Sequence, residues 1–204
     1  MKSVAGALSA LFLMSGAAFA QSVDQPGHRS PAPGTNNKAV SATEDATAAM
    51  VGTVSAEMTS TTQGFVTAAA TSDMYEVAAG KLAMQRARSP AVKDFARQMV
   101  AAHTKTTATL KGILHAHNVN AEPPAHLDNR RQGMLDNLRG AGGADFDHRY
   151  IVQQVAAHRE ADILFRGYAK DGDNAAVKEF AAKTDDTIKM HLSMALALDR
   201  DTSR

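Results

Sequence analysis

Apolar residues recur every three or four positions through most of the chain after residue 62, which is the spacing of amphipathic α-helices. Proline and glycine divide this pattern at Ser89-Pro90, Pro123-Pro124, Gly142-Gly143 and Asp171-Gly172-Asp173. The pattern therefore predicts helices over 63–88, 90–117, 128–139, 145–170 and 173–199. Two long helical hairpins, joined by a connector of about 28 residues that holds the short helix, predict an all-α fold: a four-helix bundle with one long crossover.

Residue types at the predicted helix ends agree with this division. Ser89, Asp145 and Asp173 are expected to cap the starts of three long helices, because their side chains accept hydrogen bonds from free backbone N–H groups. Gly140 and Gly172 are expected to end the helices that precede them.

The chain before residue 63 has a different character. Residues 1–20 carry Lys2, then an apolar stretch, then Ala18-Phe19-Ala20, which together predict a signal peptide cleaved after Ala20. Residues 21–62 contain no Leu, Ile or aromatic residue and predict a disordered linker, in which 43–58 is the one helical candidate. The predicted organisation is a signal peptide, this linker, a helical domain over 63–199 and a short tail over 200–204. We expect a periplasmic or secreted protein without a transmembrane span in the mature chain.

Composition excludes several classes of function. The 22 Lys and Arg residues balance 21 Asp and Glu residues, so no field steers the chain toward nucleic acid. The absence of cysteine excludes disulfides, thiolate metal sites and cysteine nucleophiles. Phosphate-binding glycine loops and the sequence motifs of hydrolases and zinc proteases are absent, so no catalytic residue is predicted and enzymatic activity is left open. Oligomeric state is also left open.

Each long helix carries a glutamate or a histidine within its apolar stripe, and the stripe of the third long helix also includes Asp162. In the first, steps of four and three residues give Phe65, Ala69, Ser72, Glu76, Ala79 and Ala83. The same steps place His103, His158 and His191 on the stripes of the other three helices. The five remaining histidines fall in loops or on outer faces: His28, His115, His117, His126 and His148.

Counting residues from the turns predicts how these side chains align along the bundle. Glu76 and His103 each lie about a dozen residues from the Ser89 turn, so they are level in an antiparallel hairpin. His158 lies about 13 residues before the next turn and His191 about 18 after it, which offsets the two by roughly 7 Å at about 1.5 Å per residue.

Two interpretations of the four side chains stay open. One carboxylate and three neutral imidazoles form a ligand set suited to zinc, iron, copper or manganese. Buried histidines and glutamates also occur as hydrogen-bonded or ion-paired core residues that bind nothing. The first interpretation predicts a metal-binding protein, and the second a structural or envelope-stress protein with a metal-free polar core.

Three blocks of sequence resemble an exported bacterial family called domain of unknown function 4142, whose members are often labelled predicted outer membrane protein. The blocks are TSDMYEVAAGKLAMQRARSPAVKDFARQMVAAHTKTTATL at 71–110, ADFDHRYIVQQVAAHREADILF at 144–165 and KMHLSMALAL at 189–198. The resemblance implies a ferritin-like four-helix bundle, with recurring Glu and His positions at Glu76, His103, His158 and His191. The Glu-x-x-His pairs of ferritin-like di-iron sites are not present, since Val100 and Ile188 occupy those places, so a ferroxidase centre is not predicted.

Overall fold

The computed structural model describes residues 38–202, and within that range the chain forms six α-helices and no strand. The helices are α1 (Lys38–Glu57), α2 (Thr62–Arg86), α3 (Pro90–Ala116), α4 (Asn129–Gly140), α5 (Ala144–Asp171) and α6 (Ala175–Thr202). The predicted all-α class is confirmed for this part of the chain. The predicted signal peptide, residues 21–37 of the predicted linker, and His28 lie outside the described residues.

Five of the six helices match the sequence pattern to within a few residues, and local capping explains their starts. Ser89 accepts a hydrogen bond from the backbone N–H of Val92 and precedes Pro90, as predicted. Two predicted caps are wrong. The helix expected to be capped by Asp145 begins after Gly143 (φ 57°), which leaves Asp145 in the first turn. The last helix is capped by Asn174, whose side-chain oxygen accepts from the Val177 N–H, so it begins later than predicted.

Helix α1 includes most of residues 43–58, the helical candidate within the predicted linker over 21–62, but it packs against α4 and α5, which a disordered linker does not do. Its Asp45 is buried and accepts hydrogen bonds from Asn137 of α4 at 2.9 Å and from Arg149 and Gln153 of α5, each at 3.0 Å. Burial raises the pKa of Asp45, and these donors partly offset the rise. A buried, multiply bonded carboxylate holds a helix that has few apolar residues to bury.

The four long helices pack as two antiparallel pairs. α2 lies along α3, α5 lies along α6, and the pairs meet where α2 contacts α5 and α3 contacts α6. Asp147 joins the pairs at one end, because its carboxylate accepts from the backbone N–H groups of Arg88 and Ser89 in the α2–α3 turn. Among the described helices, none is long and apolar enough to cross a membrane.

Buried apolar residues of the long helices form two clusters, one toward each end. One cluster includes Phe95 and Met99 of α3 with Tyr150 of α5. The other includes Leu110 of α3 with Phe165 of α5. Along α3, α5 and α6 the sequence passes from one cluster to the other through a buried histidine. A polar layer therefore separates the two apolar clusters, which fix the helices on either side of it.

Candidate metal centre

The polar layer brings together all four side chains that the sequence singled out. Glu76 and His158 are each 1% exposed, His191 is 4% exposed and His103 is 7% exposed. They come from α2, α5, α6 and α3 respectively, so each long helix contributes one. Asp73, one turn before Glu76 on α2, is the fifth buried member of the group.

The three imidazole rings form a nearly equilateral triangle. Ring centroids are 5.6 Å apart for His103 and His158, 5.8 Å for His103 and His191, and 5.5 Å for His158 and His191. One ring nitrogen from each histidine lies within 4.8 Å of those of the other two. Two nitrogens bound to one ion lie at most about 4.2 Å apart, because each bond is about 2.0–2.1 Å, so the triangle is close to ligating geometry.

His103 is oriented by a carboxylate behind it. Its Nδ1 lies 2.7 Å from Asp73 Oδ1, and Thr107 donates to the other Asp73 oxygen at 2.8 Å. A carboxylate only accepts, so Nδ1 carries the hydrogen and Nε2 presents a lone pair in the neutral ring. A carboxylate that holds one imidazole nitrogen while the other faces a metal is a recurrent arrangement in metal sites.

His158 is held in the same way by the backbone. Its Nδ1 donates to the Gln154 carbonyl oxygen at 2.9 Å, which leaves its Nε2 as the lone-pair nitrogen. Among the described residues, neither this Nε2, nor His103 Nε2, nor His191 Nδ1 has a hydrogen-bond partner, although all three atoms are buried. Buried polar atoms are nearly always hydrogen-bonded, so three unpartnered nitrogens in one layer require an explanation.

Glu76 adds a buried carboxylate to the triangle. Its Oε1 lies 4.0 Å from His158 Nδ1, and neither of its oxygens has a hydrogen-bond partner within the described part of the chain. Burial raises the pKa of Glu76 to about 6, and the opposing influence of His103 does not cancel this rise. The carboxylate is therefore ionised at neutral pH at a cost in folding free energy.

Burial also keeps two of the imidazoles neutral. Burial, together with the neighbouring His103, lowers the pKa of His158 to about 3 and that of His191 to about 4. For His103, burial lowers the pKa, but the Asp73 hydrogen bond and the Glu76 charge outweigh it and the net pKa is raised. Neutral imidazole is the form that binds a metal, so His158 and His191 are ready to do so across the physiological range.

Counting from the turns offset His191 from His158 by roughly 7 Å, and the structure places it with the others. The later cap of α6, at Asn174 in place of Asp173, removes one residue of this offset, about 1.5 Å, and the rest depends on how α5 and α6 pack. Asp73 was missed, and its only signal was its place three residues before Glu76 on the same helix face. Four other histidines are exposed, as expected: His115, His117, His126 and His148.

The donor set fits a first-row transition metal. Three imidazole nitrogens and a carboxylate are common ligands of zinc, iron, copper and manganese. Among the described residues, the ligand atoms of the three histidines converge, and the Glu76 carboxylate lies beside them, next to His158. The groups that hold His103 and His158 from behind are those that would fix ligand orientation.

Comparisons with known proteins agree with the sequence blocks. A family model described as Domain of unknown function (DUF4142) matches residues 45–198, from within α1 to near the end of α6, which confirms the resemblance. No curated protein and no solved structure shows a significant match.

Proposed function

The chain belongs to the DUF4142 family, whose description names no activity, and from the geometry of its buried polar layer we propose that it binds one divalent transition-metal ion. The ligands are Glu76, His103, His158 and His191. Asp73 accepts the Nδ1 hydrogen of His103 and does not itself bind the ion. Zinc, iron, copper and manganese all suit this set.

One observation carries the proposal: the buried groups of the layer do not satisfy one another. The lone-pair nitrogens of three imidazoles and both oxygens of Glu76 are buried and unpartnered among the described residues. Leaving a buried polar atom unsatisfied costs about 1–3 kcal/mol, so these groups destabilise the folded protein when no ion is bound to them. A cation at the centre of the triangle would satisfy the three imidazole nitrogens with bonds they are able to form, and its charge would offset that of the neighbouring Glu76 carboxylate.

A metal-free polar core is the second candidate function. It is supported by the two hydrogen bonds that the layer does contain, from His103 to Asp73 and from His158 to the Gln154 carbonyl. Both bonds use Nδ1, so they account for the orientation of these two rings but leave the buried Nε2 atoms of His103 and His158 and Nδ1 of His191 without partners. The metal-binding proposal explains both sets of atoms.

The proposal includes a fold and a compartment. The two antiparallel helix pairs, with four inward-facing ligands on four helices, support a ferritin-like four-helix bundle, in which metal sites form from side chains on facing helices. Export is supported by the apolar stretch and Ala18-Phe19-Ala20 at the start of the sequence. We infer a metal-binding protein of the periplasm or the extracellular space.

Elemental analysis of the protein purified without a histidine tag tests the proposal. The wild type should retain about one ion per chain after exposure to zinc, iron(II), copper or manganese and removal of excess metal. His103→Ala should lose this ion, whereas His115→Ala, an exposed histidine on the same helix, should keep it. Far-UV circular dichroism checks that both variants remain helical. Substoichiometric metal in the wild type, unchanged by His103→Ala, would overturn the proposal.

A further inference from the structure

A cleft of about 790 Å³ lies between α3 and α6 on the surface of the molecule. This volume is within the range of small-molecule binding sites. Its walls include Ala101, Ala102 and Thr106 of α3 and Thr187 of α6, which are small residues that leave the space open. His191 also lines it, although it is 4% exposed.

His191 is therefore shared by the cleft and the imidazole triangle. On α3, Ala102 lies one residue before His103 and Thr106 three residues after it, so the α3 wall of the cleft runs beside the same site. On another side of the triangle, His158 packs against the buried ring of Phe95, with ring centroids 6.4 Å apart. The cleft thus reaches the polar layer from the α3–α6 side.

Charge indicates what kind of molecule the cleft accepts. Lys105 lies on its α3 wall and Lys183 on its α6 wall, with Glu179 paired to Lys183 at 2.5 Å. A divalent ion held by Glu76 and three neutral imidazoles carries a net charge of +1, which the buried Asp73 carboxylate behind His103 offsets. Lys105 and an open position on the ion, which acts as a Lewis acid, then attract a negatively charged ligand.

We propose that the α3–α6 cleft admits a small anion, which binds the metal at a further coordination position beside His191. This inference rests on the metal site proposed above, because the anion's main partner is the ion itself. Four protein ligands leave one or two positions open on an ion that takes five or six, so an exogenous ligand completes the coordination. The cleft provides the passage that a closed structural site lacks.

The test uses the full-length mature protein loaded with cobalt(II), whose visible absorption bands change when a ligand joins its coordination sphere, with azide as the anion. Azide should change the wild-type bands in a saturable manner. Ala102→Phe and Thr187→Phe, which fill the cleft from opposite walls, should weaken azide binding by about ten-fold or more by steric exclusion and leave the cobalt content unchanged. Ala108→Phe, at an exposed α3 position outside the cleft, is the matched control and should bind azide as the wild type does.

Each outcome decides one of the two proposals. Equal azide affinity in the wild type and in both cleft variants would show that the anion takes another path and would overturn the cleft proposal. Cobalt bands that azide does not change would show that the ion has no open coordination position. This result would also overturn the cleft proposal, but it would leave the metal-binding proposal intact. A wild type that retains no cobalt would overturn the proposed function and this inference with it.

Discussion

Replacing Glu76 with glutamine is expected to stabilise the metal-free protein while it abolishes tight metal binding. Burial raises the pKa of Glu76 from its ordinary value of 4.5 to about 6. Each pKa unit corresponds to about 1.36 kcal/mol, so the ionised carboxylate costs the folded state about 2 kcal/mol above pH 6. Glutamine has nearly the same shape and no charge, and it removes this cost.

The way this stability difference changes with pH follows from the upward shift of the Glu76 pKa. A group whose folded pKa is raised binds more protons in the folded than in the unfolded state between the two pKa values, so stability is lost as pH rises through the folded pKa. The wild type suffers this loss and Glu76→Gln does not. The stability advantage of the variant should therefore grow from less than about 1 kcal/mol at pH 5 to about 2 kcal/mol at pH 8. For a domain of this size the latter is about 4–8 °C in Tm.

Urea unfolding of chelator-treated protein across this pH range measures the difference directly. Glu57→Gln, at an exposed position near the end of α1, is the matched control and should match the wild type throughout. Added metal should then make the wild type more stable than Glu76→Gln, because an ion at a hundred times its Kd stabilises the wild type by about 2.7 kcal/mol. A difference that does not change with pH, or a variant less stable than the wild type at pH 8, would refute the reasoning.

Three further results are expected. Asp73→Asn should weaken metal binding by about 10–100-fold in chelator competition, and an unchanged Kd would show that Asp73 does not tune the site. Metal affinity should fall as pH drops from 7.5 to 5, because His103, whose pKa is raised, and then Glu76, whose pKa is about 6, take up protons; a flat profile over this range would contradict this. Gly112→Ala, where a Cβ meets nothing within 4 Å, should raise stability by about 1 kcal/mol. Gly80→Ala, whose Cβ would lie 2.7 Å from a valine methyl group of α3, should be less stable than Gly112→Ala in thermal melts.

The inward direction of the site residues was predictable because helical periodicity is a local property. Glu76 and His103 each lie on an apolar stripe, and a stripe needs only its own helix to be recognised. The contact between Asp73 and His103 was not predictable in this way, since it joins two helices and depends on their rotation and separation. Residue counting from the turns depends on where α6 begins and on how two helices cross: the cap at Asn174 in place of Asp173 shifts His191 by only about 1.5 Å, and the packing of α5 against α6 supplies the remainder.

Helix α1 shows a limit of composition as a guide to order. Its sequence offers too little apolar surface to predict a packed helix, and that reasoning is sound for segments held by apolar burial alone. The structure anchors it through Asp45, which accepts hydrogen bonds from α4 and α5. Because these partners lie about a hundred residues away along the chain, nothing local to α1 indicates that its one buried carboxylate has donors.

Because the polar layer lies between two apolar clusters, its residues are expected to tolerate substitution without loss of the fold. Apolar clusters on both sides fix the four helices, so packing above and below the layer places the site side chains inside the molecule. Hydrogen bonds to Asp73 and to the Gln154 carbonyl then orient the rings of His103 and His158. The unpartnered nitrogens and the charged Glu76 then oppose folding, and the clusters offset their cost. A residue retained only for stability would lower stability when replaced. Glu76 is expected to do the opposite, and a buried group that destabilises the empty protein is one whose benefit must come from what it binds.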